Sequence, residues 1–117
     1  MFVAYSVSVE LIHHLRDLVP IIKRHDRDLA DQIHRAATSV ALNLSEGQRL
    51  TAGNQRRAYE IAHGSANEVK AALDLAEAWG YLGDTSAPRR PLDRLLAILW
   101  RLTHPHRGHN AAREPNV

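Results

Sequence analysis

The stretch "QIHRAATSVALNLSEGQR", residues 32–49, combines a helical pattern of apolar residues with an abrupt end. Val40 and Leu44 belong to a set of apolar residues spaced to fall on one face of an α-helix. Residues 36–45 carry no charge, so the opposite face is also small or weakly polar. Gly47 follows at a natural position for a C-terminal turn. The stretch therefore predicts a helix with two faces able to pack, in a fold built from helices.

The same periodicity recurs along the chain, and alternating patterns typical of strands are missing from the sequence. Four helical segments are predicted, at about residues 6–24, 27–46, 52–79 and 91–103. Their short links predict an all-α fold, an antiparallel up-down-up-down four-helix bundle. Residues 1–103 would form this bundle as a single domain. Residues 104–117 have no apolar period and would form a flexible C-terminal tail.

Each predicted segment has one apolar stripe that should face the core. The residues assigned to these stripes are Val7, Leu11, Leu15, Leu18 and Ile22, then Leu29, Ile33, Ala36, Ala37, Val40 and Leu44, then Ile61, Ala62, Ser65, Val69, Ala72, Leu73 and Ala76, and finally Leu92, Leu95, Leu96, Leu99 and Leu102. Thr51 is placed to cap the third segment, and Gly80 should end it. Pro91 suits the first turn of the fourth segment.

Composition excludes several classes of protein. With 117 residues and 44% hydrophobic content, the chain can bury one core. It has no cysteine, which excludes disulfides and cysteine zinc clusters. Its start reaches Glu10 before an apolar run long enough for export or membrane spanning, so we expect a soluble cytoplasmic protein with no membrane partner. The formal charge of +2 is too weak by itself to predict nucleic-acid binding.

Two Glu-x-x-His motifs, Glu10 to His13 and Glu60 to His63, raise the possibility of a di-iron bundle. At about 100° per residue, all four side chains point roughly 120° to 180° away from the apolar stripes. The fourth segment also lacks a carboxylate at the matching end. No Ser-His-Asp spacing, nucleophile elbow or glycine-rich phosphate loop is present. We therefore predict no catalytic residue, no metal and no cofactor.

The second segment has an outward face that suits a contact between chains. Leu42 points roughly 180° from the core stripe, in a stretch without charges. A single exposed leucine is common, but the uncharged stretch favours an oligomer interface. Its candidate residues are Arg35, Thr38, Leu42 and Ser45. Glu46 lies at the negative end of the helix dipole, where Arg49 or Arg57 should pair with it.

The stretches "QIHRAATSVALNLSEGQR" and "IAHGSANEVKAALDLAEAWGYL", with the spacing between them, carry a family resemblance. Residues 7–103 resemble the bacterial four-helix-bundle proteins first noticed as reading frames in intervening sequences of large-subunit ribosomal RNA genes. The same superfamily includes the accessory variability determinant of diversity-generating retroelements. The positions that match the family pattern, and look structural, are Asn43, Glu46, Gly47, Gly64, Ser65, Glu68, Gly80, Tyr81 and Leu82.

The resemblance implies a homopentamer of four-helix bundles arranged as a barrel, with no known enzymatic activity. In the retroelement branch, a basic barrel surface is implicated in binding nucleic acid and a reverse transcriptase. This chain departs from the pattern after Gly47, where the link is short and leaves Arg49 alone, and at Asn54, where the family often has Glu. A link with fewer basic residues neutralises fewer phosphates, which weakens the implied nucleic-acid binding.

Two functions stay open from the sequence. The first is a non-enzymatic homo-oligomer that binds RNA or DNA as an accessory factor of ribonucleoprotein or reverse-transcriptase systems. Its candidate contacts are Arg49, Arg56 and Arg57 near one end of the bundle, and Arg89, Arg90 and Arg94 near the other. The second is a scaffold that recruits a reverse transcriptase or another protein and binds no nucleic acid. An exposed apolar patch left after assembly would favour the scaffold.

Overall fold

The computed structural model describes residues 2–105, which form four α-helices and no strand. The all-α class predicted from the sequence is therefore confirmed for this part of the chain. The helices are α1 (Val3–His25), α2 (Arg27–Gly47), α3 (Ala52–Ala78) and α4 (Ser86–Thr103). Residues 106–117, most of the predicted tail, lie outside the described residues. Within residues 2–105, no helix has the length and apolar content needed to cross a membrane.

Each helix packs mainly against two others, since α2 contacts α1 and α3 while α4 contacts α3 and α1. At one end of the molecule, Arg56 in α3 donates a hydrogen bond to the Thr103 carbonyl at the end of α4 (3.4 Å). At the other end, the ring of His25 in α1 stacks on Tyr81, just after α3, with centroids 4.9 Å apart. These contacts place the four helices around one shared core.

The core consists of leucine, isoleucine and valine side chains from all four helices, separated by alanines. Burying each large aliphatic side chain contributes roughly 1.5 to 3 kcal/mol. The large aliphatic side chains with almost no exposure are Leu11, Ile22, Ile33, Val40, Leu44, Val69, Leu73, Leu92, Leu95 and Leu99. All of them belong to the apolar stripes predicted from the sequence, so the positions of the core side chains follow from helical periodicity.

The predicted inward face of α3 is wrong at Ile61, which is 45% exposed. The buried face is centred one position later, on residues such as Ala62 and Val69, so Ile61 falls on its outer edge. Leu18, Leu96 and Leu102 are only half buried. The sequence pattern did not reveal the width of each buried face, because that width depends on how closely the neighbouring helix approaches.

The predicted start of α4 is also wrong, because the helix begins at Ser86 and Pro91 lies inside it. An extra turn forms where the prolines and polar residues suggested a connection. Arg89 supports this turn: its backbone N–H donates to the Thr85 carbonyl (3.2 Å) and its side chain to the Thr85 hydroxyl (2.8 Å). Pro88 lies in the first turn, where a missing N–H costs nothing. The long-range contacts of Arg89 could not be read from local sequence.

The cap predicted at the start of α3 is replaced by a different set of bonds. Thr51 makes no side-chain cap hydrogen bond. Instead, the Gln55 side-chain amide donates to the carbonyls of Gly47 and Leu50, each at 3.1 Å. A side chain of α3 thus holds both the last residue of α2 and the link that follows it. Gln55 therefore joins the two helices at the point where Thr51 was expected to act.

Gly47 is required for close packing rather than for a turn. It is the last residue of α2 and has no positive φ, whereas Gly80, with φ of 79°, makes the left-handed turn after α3. A Cβ atom on Gly47 would lie 2.6 Å from the ring of Tyr59 and 3.2 Å from the Cβ of Ala58. Real side chains do not approach this closely. The end of α2 therefore packs directly on the start of α3 only because residue 47 has no side chain.

We predict that Gly47→Ala lowers the free energy of unfolding by about 1 to 3 kcal/mol, because the new methyl group overpacks the contact with Tyr59. Alanine's better helix propensity, worth at most about 1 kcal/mol, does not compensate. Gly53→Ala is the matched control, since a Cβ there meets nothing within 4 Å. It should be neutral or slightly stabilising in the same urea titration. Equal effects of the two substitutions would contradict the packing role of Gly47.

Candidate interface and nucleic-acid contacts

The outer flanks of α2 and α3 lie side by side and expose apolar side chains. Leu42 on α2 is 64% exposed, and Ile61 on α3 is 45% exposed. The hydroxyls of Ser39 and Ser65 are 2.9 Å apart across the helix pair. Leu42 lies about one turn after Ser39 and Ile61 one turn before Ser65, and these serines with Gly47 fix the register. Leu42 and Ile61 therefore lie at a similar level on neighbouring helices.

The exposed surface of this helix pair is called here the α2–α3 face. Its α3 residues recur at helical spacing along one side of that helix. The members of the face are Arg35, Thr38, Leu42 and Ser45 from α2, and Ile61, Gly64, Glu68 and Leu75 from α3; Ser45 is half buried and the others are exposed. All four α2 members were predicted from the sequence. Ile61 and Leu75, which is 51% exposed, were not. The sequence does carry a signal for them, because the seven-residue spacing of positions 61, 68 and 75 places them on one outward side of α3.

A polar network lies between the two helices on this face. The Asn43 side-chain amide donates to the Ser39 carbonyl at 2.9 Å and lies 3.2 Å from the Ser39 hydroxyl, which in turn meets Ser65. Arg35 and Glu68 line a shallow groove of about 290 Å³ beside these serines, together with Gln32 and Ala36. Two family-pattern residues, Asn43 and Ser65, therefore help to join α2 to α3. Their position gives them a structural role, and no catalytic role is needed to explain them.

Gly64, by contrast, has no contact within residues 2–105 that requires a glycine. A Cβ atom placed there meets nothing within 4 Å, and its φ is not positive. The residue lies on the α2–α3 face between Ile61 and Glu68. A glycine at this point keeps the surface low, which permits a second helix to approach closely.

Three of the six candidate arginines are engaged by acidic partners. Arg49 pairs with Glu46 at 3.4 Å, as predicted for the end of α2. Arg56 pairs with Glu60 at 3.5 Å. Both pairs are exposed, and such pairs contribute little to stability and are easily exchanged for other partners. Arg49 therefore stays accessible to a phosphate group, whereas Arg56 would also have to give up its hydrogen bond to the Thr103 carbonyl.

Arg89 is held much more firmly than the other candidate arginines. Its guanidinium bridges Asp74 (2.9 Å) and Glu77 on α3, and it also bonds to the Thr85 hydroxyl. Burial acts to lower the pKa of Arg89, but the hydrogen bonds to Glu77 and Asp74 outweigh it and the net pKa is raised. The side chain therefore ties α4 to α3. A phosphate contact by Arg89 would require these bonds to break.

The other three candidate arginines form no ion pair within residues 2–105. Arg57 lies in α3 near the end where Arg49 and Arg56 are found, while Arg90 and Arg94 lie in α4. All three are exposed. Their charges are therefore the most available of the six for an external anion.

The two Glu-x-x-His motifs do not converge. Glu10, His13 and Glu60 are exposed, and His63 is half buried beside the end of α4. The Nδ1 atom of His63 lies 3.4 Å from the Thr103 hydroxyl. Burial, followed by the nearby charge of His104, lowers the pKa of His63. Across residues 2–105, no three His, Asp or Glu side chains are grouped so that they could hold a metal ion.

Comparison with known protein families gives a match over most of the chain. The family model described as "23S rRNA-intervening sequence protein" matches residues 3–94, which cover α1, α2, α3 and the first half of α4. No curated protein and no solved structure gives a significant match to the chain. The matched region includes the complete α2–α3 face and all six candidate arginines.

We predict that Arg89→Ala lowers the free energy of unfolding by about 1 to 2 kcal/mol, because α4 loses its charged bonds to α3. Arg90→Ala is the matched control, since the neighbouring arginine forms no ion pair in residues 2–105. It should change the unfolding free energy by less than about 0.5 kcal/mol. Urea unfolding followed by circular dichroism measures both. A neutral Arg89→Ala variant would refute the proposed tie between α3 and α4.

Proposed function

Since the chain belongs to the 23S rRNA-intervening sequence protein family, we propose that it is a non-enzymatic homo-oligomer that binds RNA as an accessory factor. The helices form an antiparallel up-down-up-down bundle, and bundles associate through the α2–α3 face. The name of the family ties it to 23S ribosomal RNA. Accordingly RNA is the proposed ligand, with DNA as the nucleic acid to compare. A cytoplasmic location fits the lack of cysteine.

RNA binding is supported by three exposed arginines that form no ion pair in residues 2–105. They are Arg57, Arg90 and Arg94. Non-specific attraction to nucleic acid comes mainly from cations that neutralise phosphates. One chain with a formal charge of +2 attracts RNA weakly. A homopentamer, the assembly that the resemblance implies, would carry about +10 and present each arginine five times. Association and RNA binding are therefore linked in this proposal.

Self-association is supported by the chemistry of the α2–α3 face. Leu42, Ile61 and Leu75 are exposed apolar side chains on one surface, and Gly64 keeps the middle of that surface low. Interfaces between chains have a centre of this kind, with polar residues around it. Arg35 and Glu68 lie on opposite walls of the groove and form no ion pair in residues 2–105, so each can pair with the opposite charge of a second copy.

A second candidate function is a protein-interaction scaffold that binds no nucleic acid. The same exposed apolar residues, Leu42, Ile61 and Leu75, favour it if part of this surface stays uncovered after assembly. A reverse transcriptase or another protein would then be the partner. The lack of ion pairs within residues 2–105 at Arg57, Arg90 and Arg94 favours RNA over this alternative.

We predict that Leu42→Glu weakens self-association at least about tenfold, because a charge then replaces an apolar side chain at the centre of the interface. Val3→Glu is the matched control, since Val3 is 50% exposed but lies on α1. Analytical ultracentrifugation over a concentration series gives the mass and the dissociation constant of each variant. This interface would be ruled out if the wild-type protein is monomeric. It would also be ruled out if Leu42→Glu has the same mass and dissociation constant as the wild-type protein.

We predict that labelled single-stranded RNA binds the oligomer with an affinity that falls steeply with salt. The logarithm of affinity should fall with log salt by about 0.7 per phosphate contacted on a single strand. Arg57→Ala, Arg90→Ala and Arg94→Ala should each weaken binding and reduce this slope. Arg16→Ala is the matched control, because Arg16 is an exposed arginine on α1 outside the candidate set. Fluorescence anisotropy, with duplex RNA and DNA in parallel, gives the slopes.

If an intact oligomer binds no RNA at low salt, these arginines have no role in phosphate binding. The scaffold function then replaces the RNA-binding one. Equal losses for Arg16→Ala and the three candidate variants would mean that overall charge, rather than these positions, controls binding.

A further inference from the structure

Three aromatic rings are stacked at the end of the molecule where α1 and α3 finish. The ring of His25, the last residue of α1, lies 4.9 Å from that of Tyr81 with an interplanar angle of 10°. The ring of Tyr81 lies 6.4 Å from that of Trp79 with an angle of 15°. We call this row His25, Tyr81 and Trp79 the aromatic ladder. Its outermost member, Trp79, is 70% exposed, more than any other large hydrophobic residue in residues 2–105.

Backbone hydrogen bonds just after α3 hold Trp79 and Tyr81, two members of the aromatic ladder, in place. The N–H groups of Trp79, Gly80 and Tyr81 donate to the carbonyls of Leu75, Glu77 and Ala76 at 2.8 to 2.9 Å. Gly80 takes the left-handed conformation that this turn requires. Tyr81 is half buried against the core. The ladder is therefore a preformed feature, and a ligand would not need to order it.

Cationic side chains lie next to the ladder in sequence and on the same corner. Lys23 and Arg24 immediately precede His25 in the last turn of α1, and Arg27 begins α2. All three are exposed and form no ion pair within residues 2–105. Asp26, between them, uses its carboxylate to cap α2 by accepting the Leu29 N–H at 3.0 Å. The corner therefore combines exposed aromatic surface with available positive charge.

We propose that the aromatic ladder is a stacking platform for an unpaired base of single-stranded RNA, with Lys23, Arg24 and Arg27 contacting the adjacent phosphates. Every base has a π-face, so stacking on Trp79 needs no particular nucleotide sequence. Bases within a duplex have their faces covered by neighbours, so the platform selects single strands, loops or bulges. This inference rests on the proposed RNA-binding function and adds to it the form of RNA that is bound.

A protein surface could also cover Trp79, since Leu75 is exposed one turn earlier on the same helix. The arrangement favours a base for two reasons. The rings are stacked roughly parallel, which continues the geometry of stacked bases. At the junction of α1 and α2, Lys23, Arg24 and Arg27 outnumber the carboxylates of Asp26 and Asp28, so the charge is net positive and matches a phosphate backbone, whereas the centre of a protein interface is usually poor in charge. Fluorescence of Trp79 and the oligomer mass of its variants separate the two ligands.

Fluorescence of Trp79 reports directly on a base stacked against it. The other tryptophan, Trp100, is removed by Trp100→Phe so that one indole emits. We expect a short single-stranded RNA to quench this emission and a blunt RNA duplex to leave it almost unchanged. Single-stranded DNA of the same sequence is the third arm. Circular dichroism confirms that the variant keeps its helices, because Trp100 stacks on His104 and its loss could disturb the end of α4.

Binding by variants of Trp79 is measured in the otherwise unchanged chain. Trp79→Ala should weaken binding of single-stranded RNA about tenfold, in the range found for loss of one base stack. The dependence on salt should stay the same, because no charge is removed. Trp79→Phe, which keeps a ring, should restore most of the affinity. Tyr5→Ala, which removes an exposed aromatic ring on α1 outside both the ladder and the α2–α3 face, is the matched control and should have no effect.

The outcomes distinguish this inference from the function it rests on. If the wild-type protein binds no RNA, the proposed function fails and takes the platform with it. If RNA binds but Trp79→Ala binds equally well and no quenching occurs, only the platform is refuted. If Trp79→Ala changes the oligomer mass, the residue belongs to a protein interface and the platform is again refuted. Equal behaviour of single-stranded DNA would support stacking and overturn the assignment of RNA as the specific ligand.

Discussion

The close contact between α2 and α3 is the constraint on which the rest of the molecule depends. At one end it requires a residue without a side chain, Gly47, against the ring of Tyr59. Near its middle it brings two hydroxyls, Ser39 and Ser65, to 2.9 Å. A helix pair this close has no room between its members for large side chains, so its aliphatic residues point either into the core or out to solvent. The exposed Leu42 follows directly from this packing.

The position of the acidic residues determines which arginines are available. On α3, Asp74 and Glu77 hold Arg89, and α4 is attached to α3 as a result. Arg90 and Arg94 lie on the same helix and form no ion pair in the described part of the chain; the charge of Arg90 adds to the hydrogen bonds from Ser86 in lowering the pKa of Asp84. Six arginines of similar appearance in the sequence thus have different physical roles. The net charge sets the total attraction for a polyanion, whereas the ion pairs determine which arginines are available to bind it.

Periodicity in the sequence was enough to predict the helices and the large core residues, because each of these depends on local spacing. It failed where distant residues decide the outcome. The turn at Ser86 is held by the Asp84 carboxylate, which accepts from the Ser86 N–H and hydroxyl, and by Arg89, which reaches residues of α3. Ile61 is exposed because the neighbouring helix covers only part of α3. The aromatic ladder was missed for the same reason, since His25 and Tyr81 are far apart in the sequence. Of the candidate site, the sequence supplied the α2 residues but not their neighbours on α3.

The end of α4 is closed by side chains from the helical unit itself. The Thr103 hydroxyl donates to the Leu99 carbonyl at 2.9 Å, the backbone N–H of His104 donates to the Trp100 carbonyl, and Arg56 reaches the carbonyl of Thr103. The Trp100 and Thr103 carbonyls, in the last turn where a helix normally leaves such groups unsatisfied, therefore have partners already. A reporter peptide or affinity label fused after Pro105 would not need to supply a cap. This end of α4 is consequently a suitable attachment point for immobilising the protein without loosening its last turn.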